Sequence, residues 1–374
     1  MIRHLFGIVL TASLLSIPTE ALAQARTWTL GQIVLSSANV PYAPLGVGAP
    51  SVALDEHSGT RFLETFEYPA TAANPLDPVC PSGIWGIGIA RSLNGIAWTT
   101  MDGDNDGGNG ISPLIVPVPG AGTEHDCVMA QPSILWGDDP TGKFFWVAYK
   151  AQDDSGSNFT GIGMLEIELF GNGNIKTVTD HGLVLPMTDI GGYSDFKREC
   201  DGSYSMAVQR KVTGVLEYEM WEATSPTPDV LWTLAPSPSV SPSAFALPYM
   251  ENEVASFEYF HDDWDPLDGF DETHIMFIGR TLALGGAFVT GGIAEMVRVE
   301  DGVSVFELPA TPEITISTST AYRHIGLIQL DVAGDQQFIM YTSELSGGVP
   351  RIRVAYTDPL PGFPGTFVVP KSCN

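Results

Sequence analysis

The sequence predicts an all-β chain built from repeated hairpins, and three observations carry that prediction. First, 40 glycines and 28 prolines stand among 374 residues, and few stretches keep a helical apolar period, so short strands and many turns are expected. Second, residues 131–149, QPSILWGDDPTGKFFWVAY, read as a β-hairpin: a Pro-Ser and an apolar run, a turn from Gly137 to Gly142, and a returning strand from Phe144 to Tyr149. Third, residues 49–68, APSVALDEHSGTRFLETFEY, repeat that phrase with a turn at Asp55-Glu56-His57-Ser58-Gly59 and an aromatic-rich return. Two spaced copies of one hairpin mark a repeat architecture. A single hairpin cannot bury both its faces, whereas sheets packed radially around an axis can, leaving only short protected edges. Five units of about 60 residues fill the chain past its N-terminal segment, so the expectation is one five-bladed β-propeller domain over residues 24–374. A pair of β-sandwiches is the structural alternative on the same strand signals.

Taken in order, residues 1–23 carry Arg3, an apolar segment over residues 5–17, and Ala21-Leu22-Ala23 before Gln24. This is the pattern of a secretory signal peptide cleaved after Ala23, and its apolar run is too short to span a bilayer. A secreted or periplasmic chain is expected, with no membrane span. Residues 27–36 read as a strand that either completes the last blade or forms a simple edge. The first unit then runs through strands at 51–54, 61–68, 85–91 and around Trp98. Its second half, GIGIARSLNGIAW, pairs a small-residue strand with an Asn-Gly turn, which supplies positive φ, and a Trp suited to packing between blades. The second unit starts near Ala130 and ends with residues 161–169 and the turn Gly171-Asn172-Gly173-Asn174. The third begins near Tyr193, with strands at 194–198, 204–210, 216–223 and near Trp232. Residues 224–248, rich in Pro and Ser, read as a long connection. The fourth unit starts at 254–260, crosses an acidic turn over 261–272, and continues through 273–279 and 293–299. The fifth has strands at 324–330, 337–343 and 351–356.

Seventeen basic against 44 acidic residues give a formal charge of −27, which repels a phosphate backbone and argues against a nucleic-acid partner. A solvated acidic surface and divalent-cation binding both remain open. Cys80, Cys127, Cys200 and Cys373 point to disulfides in an exported chain, with three pairings open.

The repeated opening, Ala49-Pro50-Ser51-Val52 and Gln131-Pro132-Ser133-Ile134, the phrase IGIARSLNGIAWT, and residues 195–204, DFKRECDGSY, resemble the five-bladed β-propeller glycoside hydrolases, the arabinanase, β-xylosidase and levansucrase group. That resemblance implies three acids at the inner ends of blades around a central funnel: a base or nucleophile, a general acid and a carboxylate that tunes the acid. Such chemistry needs opposed carboxylates, one held protonated by its surroundings. Here the position before the first Pro-Ser, where the group usually has an Asp, is Ala49; its counterparts are Gln131 and Tyr193. Neighbouring acids are the candidates instead: Glu253 as general acid, with Asp126 or Asp195 opposed to it. Each also reads as a solvated loop acid in so acidic a chain. His125, Gln131, Tyr193, His324, Tyr42 and Trp85 are the candidate substrate-binding residues. His324 sits where related enzymes present an axial histidine, although a lone His also serves as a hydrogen-bonded structural residue.

Asp102, Asp104 and Asp106, within DGDNDGGN, match the first half of a calcium loop, but Pro113 stands where the closing bidentate Glu belongs. An EF-hand is thereby excluded. A calcium-stabilised loop and a polar turn stay open. In a propeller the connections holding Cys80 and Cys127 emerge on one face, which makes a Cys80–Cys127 bridge natural and leaves Cys200 with Cys373. The leading functional reading is an exported glycoside hydrolase acting on carbohydrate; the alternative is a non-catalytic propeller that binds carbohydrate or a protein partner.

Overall fold

The computed structural model describes residues 26–55, 61–103, 111–122, 126–137, 144–153, 159–199, 201–260, 272–283, 286–299, 305–317, 323–332 and 335–357. The segment expected to be a signal peptide therefore lies outside the described residues. Twenty strands and one four-residue helix, α1 (Pro242–Phe245), make up the regular structure there.

Antiparallel pairing sorts the strands into five sets of four, and single parallel contacts, Trp85 with Val128 and Tyr218 with Glu253, join the first set to the second and the third to the fourth. The first holds β2 (Gly48–Asp55), β3 (Arg61–Pro69), β4 (Trp85–Ser92) and β5 (Trp98–Thr100). The second holds β6 (Val128–Gly137), β7 (Phe144–Gln152), β8 (Phe159–Leu169) and β9 (Ile175–Pro186). The third holds β10 (Ile190–Arg198), β11 (Tyr204–Lys211), β12 (Tyr218–Ser225) and β13 (Thr233–Leu234). The fourth holds β14 (Glu253–Phe260), β15 (Glu272–Leu282), β16 (Phe288–Val299) and β17 (Ile314–Ile316). In the fifth, β18 (Ile325–Val332), β19 (Asp335–Ser346) and β20 (Val349–Thr357) are completed by β1 (Trp28–Leu35), which pairs antiparallel with β20. The N-terminal strand thus closes the last sheet, as the propeller reading expects. The first strands of the sets touch in the closed cycle β2, β6, β10, β14, β18 and back to β2.

The two hairpins that suggested a repeat are β2–β3 and β6–β7, the inner halves of the first two sheets. One element differs from the sequence reading. The second unit does not stop at the Gly-Asn turn but adds β9, whose Lys176, Thr177, Thr179 and Asp180 are exposed. An outermost strand with water on its face lacks the apolar alternation by which strands are recognised.

The core lies between sheets. Phe62, Phe66, Ile339 and Tyr341 pack the fifth sheet on the first; Leu63, Ile89, Phe145 and Val147 join the first and second; Met164, Phe196 and Met206 join the second and third. Met220 and Phe277 join the third and fourth, and Met276 and Met340 the fourth and fifth. The second strands β3 and β7 are therefore buried on both faces, which is why β7 reads as a nearly continuous apolar run. Trp98 behaves as the Asn-Gly turn implies: Asn94 Oδ1 accepts the amides of Ile96 and Ala97, Gly95 takes φ 67°, and the indole meets Tyr341 of the fifth sheet edge-on at 5.6 Å.

Side chains on the first strands tie neighbouring sheets together. Ser51 Oγ accepts the Ile134 amide, Ser133 Oγ donates to Asp195 Oδ1, Asp195 Oδ2 accepts the Tyr259 amide, and Ser256 Oγ accepts the Ile325 amide. The Ser of the repeated Pro-Ser phrase is thus a sheet-to-sheet tie. Cys80 and Cys127 form a disulfide with 5.5 Å between Cα atoms, as their placement on one face predicts. Cys200 and Cys373 lie outside the described residues.

Candidate active site

Four first strands carry an irregularity at the same level. Register slips between Gly48 and Ser51, Ala130 and Ser133, Ile190 and Ser194, and Ala255 and Glu258. At these bulges Ala49, Gln131 and Ser256 take φ of 45°, 50° and 51°, and Gly192 takes 134°. A left-handed residue other than glycine costs about 1–2 kcal/mol, and bulges of this kind re-aim side chains beside functional sites. The residue before the bulge pairs with a second-strand residue that reaches the axis: Gly48 with Glu67, Ala130 with Lys150.

The result is a cavity of about 780 Å³, lined from all five sheets, where Glu67, Gln131, Lys150, Tyr193, Glu253, Arg280, Arg323 and His324 converge. Trp85, Tyr218 and Phe288 add aromatic surface to its wall. Gly191 lines it, and a Cβ there would stand 2.2 Å from Gln209 Oε1 and displace that side chain, while the neighbouring Gly192 is set by its φ of 134°, which side chains rarely adopt.

Two carboxylates face this space in different surroundings. Glu253 pairs across the sheet with Arg280 and accepts hydrogen bonds from Gln209 Nε2 at 3.0 Å and Arg280 Nη1 at 3.4 Å. Both of these partners are donors, and the carboxyl oxygens accept from each. Glu67 accepts the Gln131 amide at 3.0 Å. Burial pushes its carboxyl up to about 7, against the opposing pull of that amide, Lys150 and Arg323. Burial likewise pushes Lys150 down to about 7, resisted by Glu67 and Glu253; its Nζ donates to the Gly191 carbonyl at 3.2 Å.

His324 is held neutral: burial, and then Arg280, Arg323 and Lys150, drive its pKa far below the usual histidine range. Its Nε2 lies 3.4 Å from Gln131 Nε2 and its Nδ1 3.3 Å from Ser343 Oγ. A neutral ring that accepts from the amide and donates to the hydroxyl satisfies both contacts. The ring lies against Tyr193, centroids 5.1 Å apart, and Arg280 caps the other aromatic with its guanidinium 5.6 Å from the Tyr193 centroid. Among the described residues Gln131 Oε1 is a buried acceptor with no hydrogen-bond partner.

Of the residues that the sequence singled out, Glu253, Gln131, Tyr193, His324 and Trp85 therefore come together in one cavity. Asp195 and Asp126 are buried but do not line it. Asp195 sits one level down, with its oxygens taken by Ser133 and Tyr259, and burial raises it to about 6. Asp126 Oδ2 accepts the Gly122 amide beside the disulfide. Tyr42 packs into the core between the fifth and first sheets, against Phe66 and Tyr68. Asp102 accepts the Ser112 hydroxyl; His125, Asp104 and Asp106 lie outside the described residues.

Glu67, Lys150 and Arg280 were missed in the sequence. Their signal was charge inside an otherwise apolar strand, the two glutamates of LETFEY and the single cations of FFWVAYKA and IMFIGR, because a charged side chain is seldom buried without a partner or a task.

No family model matches the chain, and no curated protein matches it in sequence. Among solved structures, the chain is similar to a glycosyl hydrolase from Bacteroides ovatus, with 12% identity, a TM-score of 0.57, and cover of 88% of this chain and 95% of that one. It is similar to an α-L-arabinofuranosidase from Lactobacillus brevis at 13% identity and TM-score 0.53, covering 85% and 93%. A third likeness, at 12% identity and TM-score 0.56 over 90% and 99%, is to a structure from work on the GH130 family of mannoside phosphorylases and on glycoside hydrolases targeting β-1,2 mannosidic linkages in Candida mannan. At such identities the likeness shows the fold, and with the closed cycle of sheets it makes the chain a β-propeller. The propellers it resembles are those of glycoside hydrolases.

Proposed function

We propose that the chain is an exported, carbohydrate-active propeller that hydrolyses glycosidic bonds, with Glu67 and Glu253 as its paired carboxylates. The observation that carries this reading is two acids from different sheets facing one cavity, one surrounded by hydrogen-bond donors and the other with its carboxyl pushed up to about 7 by burial. Glu67 is assigned as the general acid and Glu253 as the base or nucleophile. This reverses the role that resemblance suggested for Glu253. Trp85, Tyr218 and Phe288 offer faces for sugar rings, and Gln131 Oε1 offers an acceptor for a hydroxyl. Export is supported by the N-terminal pattern and by the Cys80–Cys127 bridge.

The test is turnover of aryl glycosides and polysaccharides by the wild type, Glu67→Gln and Glu253→Gln. Both variants are expected to lose about 10²- to 10⁴-fold in rate. Glu67→Gln should recover on substrates whose aryl leaving group needs no proton, whereas Glu253→Gln should stay slow on all. The opposite pattern returns the acid role to Glu253. The binding-only reading is favoured by the cation beside each carboxylate, and saturable sugar binding with no turnover on any substrate would establish it.

Calcium at the Asp102 loop is part of the same proposal. Added calcium should raise the thermal midpoint by a few degrees, and Asp104→Asn should remove that gain.

A further inference from the structure

The cavity is cationic in an anionic protein. The chain carries 17 basic residues against 44 acidic ones, yet Lys150, Arg280 and Arg323 converge here from three sheets against Glu67 and Glu253. All three cations act on the buried ring of His324, which places them around one point. They are not equivalent. Arg280 is committed to Glu253, to the Tyr193 hydroxyl and, through Nη2 at 2.6 Å, to the Arg323 carbonyl. Lys150 donates to Gly191. Arg323 is exposed at the cavity wall, and among the described residues its guanidinium has no hydrogen bond or ion pair. Its backbone is nevertheless fixed, the amide donating to the Ser343 carbonyl and the carbonyl accepting from Arg280. A guanidinium on a fixed backbone that acts on Glu67 only through space, with no direct ion pair among the described residues, adds a positive field to a low-dielectric cleft and leaves its donors to whatever enters. Its planar fork matches the geometry of an oxyanion.

The geometry points to an oxyanion subsite formed by Arg323 with Lys150: a carboxylate or sulfate borne by the glycan, or a free phosphate. For the sugar-borne sources this rests on the carbohydrate reading above; for free phosphate it does not. The subsite selects acidic over neutral glycans, and makes Arg323 the residue that sets specificity, distinct from the paired carboxylates. Gln131 Oε1, unpaired among the described residues, accepts from a hydroxyl next to the anion.

Isothermal titration calorimetry on the mature full-length chain tests it with four probes: a uronic-acid oligosaccharide, its carboxyl-reduced neutral counterpart, a sulfated oligosaccharide, and inorganic phosphate alone. One of the acidic probes is expected to bind about tenfold or more tightly than the neutral one. That preference should shrink from about 50 to about 500 mM NaCl. Arg323→Gln should abolish it and Arg323→Lys should keep part of it, both with unchanged thermal midpoints, since the side chain is exposed. Phosphate binding lost in Arg323→Gln, with no response to any oligosaccharide, upholds the subsite and removes the carbohydrate reading. Equal affinity for acidic and neutral sugars, or an acidic preference that survives Arg323→Gln, overturns the subsite while leaving the carbohydrate reading intact. Binding of neither oxyanion nor sugar overturns it as well.

Discussion

Two levels of the propeller axis hold buried acids, and they do opposite things. At the cavity, Glu67 and Glu253 face a space of about 780 Å³. Just beneath, Asp195 and Glu258 belong to the layer where the first strands meet, and burial raises both. Asp195 joins three sheets through Ser133 and Tyr259, and Glu258 accepts the Leu327 amide of the fifth sheet. Burial and a shifted pKa are therefore common to both levels and identify neither. What separates them is that Glu67 and Glu253, although hydrogen-bonded, line the cavity, whereas Asp195 and Glu258 do not.

The largest expected effect tests that separation directly. Glu67→Gln and Glu253→Gln should cut turnover about 10²- to 10⁴-fold in protein that is still folded. Asp195→Asn should leave turnover near the wild-type level, because an amide still accepts from Tyr259 and donates to Ser133. A comparable collapse of turnover in Asp195→Asn, with the fold intact, would erase the distinction.

Deleting the tie outright is the next largest effect. Asp195→Ala leaves the Tyr259 amide and the Ser133 hydroxyl without their partner, at about 1–3 kcal/mol for each group left unpaired. Denaturant unfolding should show a midpoint shift of that size, and a shift near zero would mean that the sheets hold together without the tie.

The same contrast explains what the sequence revealed. The hairpin repeat, the closing N-terminal strand and the Cys80–Cys127 bridge were legible because each follows from local pattern: paired apolar runs, turn residues, loops on one face. So were Gln131, Tyr193, Glu253 and His324, which lie within the first four residues of a first strand or, for His324, just before one. Asp195 was legible as an acid in the right neighbourhood, but not as a tie, since which way a carboxylate turns depends on a bulge that the sequence does not announce. Glu67 and Lys150 were hidden for a related reason. They enter from second strands, opposite the residues that precede the bulges, and such strands read as core.

A smaller effect comes from the proton on Glu67. Its folded pKa, about 7, lies above the ordinary value of 4.5, so its contribution to stability is full below pH about 4.5 and is lost as pH rises toward about 7. Lys150, lowered to about 7, has the opposite sense: its contribution is full above its unfolded value and is lost as pH falls through about 7. Comparing variants isolates the glutamate. The thermal midpoint of Glu67→Gln relative to wild type should rise across pH 4.5 to 7, roughly the window between its unfolded and folded values. A difference that stays constant across that window would show that Glu67 is ionised throughout, and would favour Glu253 as the acid.

The smallest effect concerns the backbone that builds the cavity. Ala49 and Gln131 occupy matching bulges at φ 45° and 50°, where glycine escapes a cost of about 1–2 kcal/mol for a left-handed side chain but brings about 0.5–1 kcal/mol of added unfolded-state freedom. Ala49→Gly and Gln131→Gly should therefore each stabilise the fold by at most about 1.5 kcal/mol. Their consequences for function should diverge. Ala49 is absent from the lining of the cavity, whereas Gln131 lines it and touches His324, so only Gln131→Gly should weaken ligand binding. Equal binding by both variants would mean that the left-handed turn at Gln131 serves the sheet alone, and that the cavity draws its specificity from the second-strand charges.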